Sequence, residues 1–468
     1  MSEERLTSTK TKLLFGMNAF PDQLSYQAFT IYVFTFYFSV VGLSMSEMWL
    51  GFSLWGIWNM VNDPLLGALS ERTKQKGQFG KRGFYLIIAF VPLGLTMLFI
   101  FTVPMNIKFF YFILIIFTFE LFYTMFSVNT NAVFPEMFRT DKERKTTNTY
   151  LKIFTMLAVI VASLVPTIII DPLVPVSDPP DPAEVSDIRS MYATAGLVLC
   201  LIIIITAVFF IMSVKEKEED ISDFEKRPGF FKSIKITFSN KTFIKFTLGN
   251  MLIWYCFNVL LTAFPLYSVF VLGRTEGSFL IGVTLMLALL SAAIFMPLHI
   301  IISKKLGTRK GLMYGEIIWI FTLLPLIFLS NNDLSRILSL FVFVSIGFGL
   351  SAALFYVDLI HADVIDQDAL NFGVKRAASY YGVNAFVHRF SMILGITTIA
   401  IIFSGTGWSD YVPVTDDPDL TILGLKLIMF LFPSIALIGS FLCFRSYDLH
   451  GEKLIQMREE LSKHPELK

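Results

Sequence analysis

The sequence predicts an all-α membrane protein with twelve transmembrane helices in two six-helix bundles. The composition is 54% hydrophobic and 16% charged, with a mean hydropathy of +0.65, whereas soluble domains carry about 25% charged residues. Many apolar runs are long enough to cross a bilayer, which takes roughly 20 helical residues. The segments that connect these runs alternate between basic and acidic character.

Hydropathy places each span in order along the chain. The predicted spans are 13–41, 46–70, 83–103, 108–138, 149–170, 191–213, 243–272, 279–302, 311–329, 336–363, 378–404 and 419–445. Basic connecting segments stay on the cytoplasmic side of a membrane. An even number of spans returns the chain to its starting side, so both termini are expected in the cytoplasm of a multi-pass cell-membrane protein.

A charged segment, 215–242, divides the chain and is predicted to be a cytoplasmic linker. It separates an N-terminal bundle, 1–214, from a C-terminal bundle, 243–445, which a cytoplasmic tail, 446–468, follows. Basic turns that contain glycine follow the second and the eighth span alike. Six spans repeated once are typical of a duplicated transporter, whose site lies between the halves near the membrane midplane.

Several classes of protein are disfavoured by the sequence. A net charge of +1 argues against a nucleic-acid binder. The three cysteines show neither disulfide nor metal-ligand spacing, and no phosphate loop, zinc motif or catalytic triad stands out. The sequence therefore predicts a protein that is not an enzyme and has no cofactor, no metal site and no obligate protein partner. Its expected partners are the bilayer, a small-molecule solute and a coupling cation.

Asp63 lies inside an apolar stretch of the second span. A carboxylate at membrane depth is costly and persists when it has a function or a partner. Asn59, Asn62 and Asp63 have the i, i+3, i+4 spacing that places them on one helix face. Two carboxamides and a carboxylate are suited to holding a small cation or a proton. The alternative is a structural role, in which Asp63 caps or salt-bridges a cytoplasmic loop.

Two motifs carry a family resemblance. The first half contains Asn62-Asp63-Pro64-Leu65-Leu66-Gly67, and the second half contains Ala362-Asp363-Val364-Ile365-Asp366. In this order and at this separation they resemble the glycoside–pentoside–hexuronide:cation symporters, the melibiose-permease-like branch of the major facilitator superfamily. The resemblance covers nearly the whole chain. It implies the major facilitator fold, with two pseudo-symmetric bundles that alternate access to a central site.

The resemblance also implies a cation site. In the family this site uses two carboxylates one turn apart, an Asn and a Thr; the matching positions here hold Asp63, Asn62 and Thr124, with Asn59 in place of the first carboxylate. A site with one carboxylate carries less negative charge to hold Na⁺, and burial favours the protonated form of an acid. The sequence therefore favours a proton over sodium as the coupling ion.

The family's sugar site is altered in this chain. Its two acidic positions hold Gln23 and Ser127, and its stacking aromatic position holds Asn131. The two basic positions are kept as Lys152 and Arg389. Carboxylates are strong acceptors for hydroxyl groups, so their loss favours an anionic solute such as a sugar acid. Alternatively, Lys152 extends to the membrane surface and Arg389 forms a structural ion pair.

Other positions complete the predicted site. Asn384 and Tyr381 are candidates for substrate binding. A cytoplasmic gate is expected to use Asp363 and Asp366, paired with Lys375 and Arg376. The basic turn after the second span would supply further gating residues, which are Arg72, Lys81 and Arg82. Glu120 and Asp358 are additional carboxylates within spans that the family motifs do not single out.

The function most consistent with these features is secondary active symport of a sugar or sugar-acid type solute with a cation. One alternative is a symporter of the same fold for a lysolipid or another amphiphile. The other alternative is a membrane sensor that transports nothing.

Overall fold

The computed structural model describes residues 7–72, 80–138, 140–214, 237–274, 278–373, 377–413 and 417–464. In chain order its α-helices are α1 (Thr9–Gly16), α2 (Ser25–Thr35), α3 (Met45–Arg72), α4 (Gly80–Ile100), α5 (Lys108–Met137), α6 (Asp141–Ile169), α7 (Pro182–Ile211), α8 (Lys241–Phe270), α9 (Phe279–Leu306), α10 (Thr308–Leu323), α11 (Asp333–Phe372), α12 (Ala377–Gly405), α13 (Pro418–Met429), α14 (Leu431–Arg445) and α15 (Glu452–Lys463). Within the described residues, ten helices are long and apolar enough to cross a membrane. The predicted all-helical membrane fold is confirmed.

Prolines break two of the predicted spans into shorter helices. The first span runs through α1, a π-helical turn at Phe20–Leu24, and α2. The last span is divided at Phe430 into α13 and α14. Proline removes one backbone donor, and its ring clashes with the carbonyl of the residue four positions earlier. Pro21 lies within the π-helical turn. Pro433 lies in the first turn of α14, four residues after Met429, at which α13 ends.

Helix α11 is longer than its predicted span and reaches nine residues beyond it, to Phe372. Its ends are well defined. The Asn332 side chain accepts a hydrogen bond from the Ser335 amide at 2.7 Å, which satisfies a backbone donor at the N-terminus. Gly373 closes the C-terminus at φ 70°, a left-handed conformation that glycine adopts without strain. Asp363 and Asp366 therefore lie within continuous helix.

The chain divides into two compact units. Unit 1 comprises Met1–Asp220, Arg274–Met286 and Gly407–Pro418, and unit 2 comprises Ile221–Gly273, Leu287–Thr406 and Asp419–Lys468. In unit 1, α4 packs on α5 and α7, and α3 packs on α5. In unit 2, α8 packs on α12 and α14, and α10 packs on α11. The predicted limits of the bundles and the linker stay a prediction, and linker residues 215–236 lie outside the described residues.

The C-terminal tail contains a helix, α15, that packs on α11 within unit 2. Arg458 of α15 donates to Asp363 Oδ1 of α11 from Nη2 at 2.7 Å and from Nε at 3.2 Å. Leu461 is buried beside Ala369 and Leu370. The tail thus supplies a partner for the predicted gate residue Asp363. The partners expected from the sequence, Lys375 and Arg376, have side chains outside the described part of the chain.

We expect Asp363→Asn to loosen α15 without unfolding the protein. The Arg458 side chain is 56% exposed, and such partly exposed ion pairs contribute at most about 1 kcal/mol. Limited trypsin digestion in detergent should cleave faster after Lys453 and Arg458 in this variant. Asp333→Asn is the matched control, because its ion pair with Arg336 lies at the other end of α11. Equal cleavage rates in the two variants would contradict this docking role.

Candidate functional site

A cluster that contains the buried carboxylate of Glu120 and the half-buried carboxylate of Asp63 joins α3 to α5 in unit 1. The Thr124 hydroxyl lies 2.9 Å from Asp63 Oδ1 and 3.2 Å from Glu120 Oε1. Trp55 Nε1 donates to Glu120 Oε2 at 3.0 Å, and Asn62 Nδ2 donates to the Glu120 backbone carbonyl at 3.1 Å. The structure thus brings three residues of the predicted cation site together, and their coupling role stays a prediction.

Unsatisfied amide groups lie on the same face of α3. Asn59 is fully buried, and neither Oδ1 nor Nδ2 has a hydrogen-bond partner among the described residues. Asn62 Oδ1 is also buried without a partner there. Buried polar atoms in folded proteins are nearly always hydrogen-bonded. Because Asn59 precedes Asp63 by one helical turn, its side chain is suited to contact a small ligand of the cluster.

The Thr124 hydroxyl has fewer hydrogens than its two carboxylate contacts require. A threonine hydroxyl carries one hydrogen and two acceptor lone pairs. Two carboxylate oxygens lie within hydrogen-bonding distance of the Thr124 oxygen, yet the hydroxyl can donate to only one of them. The other contact becomes favourable when its carboxyl group is protonated and donates to Thr124, or when a cation lies beside the oxygens. The arrangement therefore accommodates one additional positive charge.

The sequence predicts a cation site with a single carboxylate, and this stays a prediction, but the structure places a second carboxylate beside it. Glu120 lies one turn before Thr124 on α5 and is fully buried, so a second acid comes from a different helix than the resemblance implied. The sequence did carry a signal for this residue, because an acidic side chain within an apolar span is rare and usually functional. The spacing between Glu120 and Thr124 placed both on one helix face.

A second polar cluster in unit 1 surrounds Gln23. Gln23 Nε2 donates to Asp22 Oδ2 at 2.7 Å, and Ser127 and Tyr123 lie beside the Asp22 carboxylate. Asp22 was not predicted as a site residue, although it follows a proline in an apolar span. The two positions at which the family's acids are replaced therefore adjoin another carboxylate.

The remaining candidates of unit 1 lie on neighbouring helices. Asn131 is exposed on α5, and Lys152 is exposed on α6. Arg82 is half-buried near the start of α4. Arg72 and Lys81 belong to α3 and α4, and their side chains lie outside the described part of the structure.

Unit 2 contains a cavity of about 400 Å³ between α8, α11 and α12. Asn384 and Tyr381, both predicted to bind substrate, line this cavity. Arg389 is half-buried on α12 and is not among the lining residues that the structure describes. Asp366 is half-buried on α11. The complete lining is Asn250, Ile253, Trp254, Phe257, Leu350, Ala353, Leu354, Val357, Asp358, His361, Tyr381, Asn384, Ala385 and His388.

Solved transporter structures share this fold. A bacterial homologue of the human lysosomal transporter Spinster superposes with a TM-score of 0.68 and 14% sequence identity, covering 94% of this chain and 98% of that one. The nucleoside transporter NupG superposes with a TM-score of 0.66 and 12% identity, covering 94% and 100%. At these identities the likeness concerns the fold alone.

Relatives with sequence similarity are symporters and importers. The sodium-dependent lysophosphatidylcholine symporter 1 of Xenopus tropicalis is 25% identical over 60% of this chain and 53% of its own length. A protein of Salmonella typhimurium named as a sulfoquinovose importer is 23% identical over 61% and 64%. The uncharacterised symporter YjmB of Bacillus subtilis is 22% identical over 98% and 96%.

The chain spans about half the length of the lysophosphatidylcholine symporters that it matches. The family model described as "MFS/sugar transport protein" matches residues 14–451, which is nearly the whole chain. That match agrees with the helical fold and with the major facilitator transporters that superpose on it. The chain belongs to the MFS/sugar transport family, and it is a multi-pass membrane protein.

Proposed function

We propose that the protein is a cation-coupled symporter of the cell membrane that carries a sugar or sugar-acid type solute by alternating access. Within the family we place it with the glycoside–pentoside–hexuronide:cation symporters, on the two motifs that contain Asp63 and Asp363. The observation that carries the proposal is the carboxylate cluster. Two carboxylates at membrane depth, beside a buried amide without a described partner, are suited to binding a cation.

The coupling ion proposed is a proton. The Thr124 hydroxyl lies between two carboxylate oxygens and supplies one hydrogen, so one proton on Asp63 or Glu120 would complete the hydrogen bonds. A proton bound there would neutralise one of the two carboxylates and would favour the state that binds solute. By reciprocal linkage, bound solute would favour proton binding to the same extent.

A sugar or sugar acid is favoured by the side chains of unit 1. The Asp22 carboxylate and its neighbours Gln23 and Ser127 offer hydrogen-bonding groups for hydroxyls. Lys152 would supply positive charge for an acid group. Two relatives are named as sulfoquinovose importers, which supports a solute of the sugar type.

A lysolipid or another amphiphile is the second candidate. It is favoured by the apolar part of the unit 2 cavity, where Trp254, Phe257, Leu350 and Leu354 are lining residues. Other relatives are named sodium-dependent lysophosphatidylcholine symporters.

Uptake into proteoliposomes tests the proposal. The panel would contain glucose, glucuronate, gluconate and lysophosphatidylcholine, with a proton gradient and a sodium gradient imposed separately. We expect a sugar or sugar acid to accumulate under the proton gradient. Accumulation of lysophosphatidylcholine alone would favour the second candidate. Equal uptake under a sodium gradient alone would overturn the preference for protons, and lack of ion-driven uptake for every solute would contradict symport.

A further inference from the structure

Four segments of unit 2 bring basic side chains together at one end of its helices. They are the end of α9, the start of α10, the end of α14 and the start of α15. The exposed cations of this basic surface are Lys304, Lys305, Lys310, Arg445 and Lys453. None of these five side chains forms an ion pair among the described residues. The positive charge of the surface is therefore available to a partner.

Arg309 ties the start of α10 to the end of α14. Its Nε donates to the Phe444 carbonyl at 2.7 Å, and its Nη2 donates to the Arg445 carbonyl. Carbonyl groups at the C-terminus of a helix lack partners within the helix, and a nearby cation stabilises them. The two helix ends are thereby held together, so Lys310 and Arg445 belong to one surface.

Two acids lie in the same region, and one of them is already paired. Asp448 Oδ2 accepts a hydrogen bond from Lys245 Nζ at 2.7 Å. Glu452 lies in the first turn of α15, where the helix N-terminus itself favours negative charge. The cations of the basic surface therefore outnumber the acids beside them.

The surroundings of His450 show that these cations act on one place. Burial lowers the pKa of His450 most, the positive charges of Arg309, Lys453 and Lys310 lower it further, and Asp448 raises it. Cations from α10 and from α15 thus lie close enough to act on a single side chain. The same charges would stabilise an anionic group at this position.

The basic surface begins where exposed apolar side chains end. Ile301 of α9 and Leu442 of α14 are each more than half exposed, and Lys304 and Arg445 follow them by three residues. Tyr314, near the start of α10, is also more than half exposed. Exposed apolar residues of a spanning helix face acyl chains, whereas tyrosine and basic residues mark the level of the lipid headgroups. The cations are therefore at headgroup level, at the end predicted to face the cytoplasm.

We propose that this basic surface binds the headgroup of an anionic phospholipid such as phosphatidylglycerol. The inference goes beyond the proposed function, because it concerns the bilayer and not the solute. Basic clusters between spanning helices attract anionic headgroups, and lysine can reach them while its methylene groups lie on apolar surface. A lipid fits better than a soluble anion, because the exposed apolar residues beside the cations can contact acyl chains.

Native mass spectrometry of the full-length protein in neutral detergent tests the inference. The probes are phosphatidylglycerol and phosphatidylcholine with identical acyl chains, so that the headgroup alone differs. We expect the unaltered protein to bind phosphatidylglycerol more tightly. The double variant Lys310→Gln/Lys453→Gln should bind phosphatidylglycerol about 30-fold more weakly, since each cation near an anionic headgroup contributes about fivefold. Its binding of phosphatidylcholine should not change.

The matched control is Lys10→Gln/Lys12→Gln, which removes two cations from α1 of unit 1 and should bind both lipids like the unaltered protein. Equal affinity of the unaltered protein for the two lipids would overturn the inference. An equal loss of phosphatidylglycerol binding in the control, or an equal loss of both lipids in the double variant, would also overturn it. Glycerol 3-phosphate should not displace phosphatidylglycerol at equal concentration, and displacement would replace the lipid surface by a soluble-anion site.

Discussion

Proteoliposomes that contain the Asp63→Asn variant are expected to lose ion-driven solute accumulation by about 100-fold, near the upper end of typical coupling energies. An asparagine side chain keeps an acceptor for the Thr124 hydroxyl, which lies 2.9 Å from Asp63 Oδ1. It cannot take up a proton, so the geometry of the cluster is kept and its charge is removed. Exchange of labelled for unlabelled solute across the membrane, which needs no net ion movement, should continue.

The Glu120→Gln variant tests whether ion coupling uses both carboxyl groups of the cluster or Asp63 alone. If the two carboxyl groups share one proton through Thr124, Glu120→Gln should impair accumulation as strongly as Asp63→Asn. Thr124→Val should also impair it, and Thr124→Ser should not, because serine keeps the hydroxyl. Asp333→Asn removes an exposed carboxylate far from the cluster in sequence and should behave like the unaltered protein. Full accumulation by Asp63→Asn would remove the basis for assigning coupling to this cluster.

Gly347→Ala is expected to destabilise unit 2 by about 1–3 kcal/mol, the usual cost of overpacking a core. Gly347 lies where α11 crosses α9. A Cβ atom at this position would lie 2.6 Å from the Ala288 carbonyl oxygen and 2.8 Å from the Ala292 amide nitrogen. These are backbone atoms of a helix, so no side-chain rotation can relieve the clash and the helices must separate. Thermal unfolding of the purified protein in detergent should show a clear fall in midpoint temperature.

Gly382→Ala is the matched control for the glycine substitution. Gly382 also lies within a helix, α12, and a Cβ atom there would meet nothing within 4 Å. Because alanine favours helix more than glycine does, this variant should be as stable as the unaltered protein or slightly more stable. A midpoint that falls equally in both variants would show that close helix approach at Gly347 is not the cause.

Hydropathy was sufficient to predict the helical membrane fold and the order of its spans, because burial in lipid requires long apolar helices. It could not predict helix ends that are polar. The helix that contains the sixth span starts at Pro182, nine residues before the predicted limit, since the first turns carry Glu184 and Asp187. Hydropathy also did not predict the breaks in the first and last spans, although Pro21 and Pro433 in the sequence indicate interrupted helix.

The candidate site was predicted only in part for a different reason. Spacing along one helix places Asn59, Asn62 and Asp63 on a common face, and the family motifs supply Thr124. Which residue of α5 meets that face depends on how the two helices pack, and a single sequence gives no measure of that register. The sequence therefore showed that Glu120 is a costly charge within a span, but it did not show that Glu120 lies near Asp63 of α3.

The tail helix has a practical consequence for shortened forms of the protein. A chain truncated just after α14 would lose Arg458 and Leu461 together, leaving Asp363 without its guanidinium and Ala369 without its apolar cover. Such a form would expose apolar surface at Ala369 and is expected to self-associate more readily in detergent. A fluorescent reporter or purification tag is therefore better fused beyond residue 464 than in place of the tail.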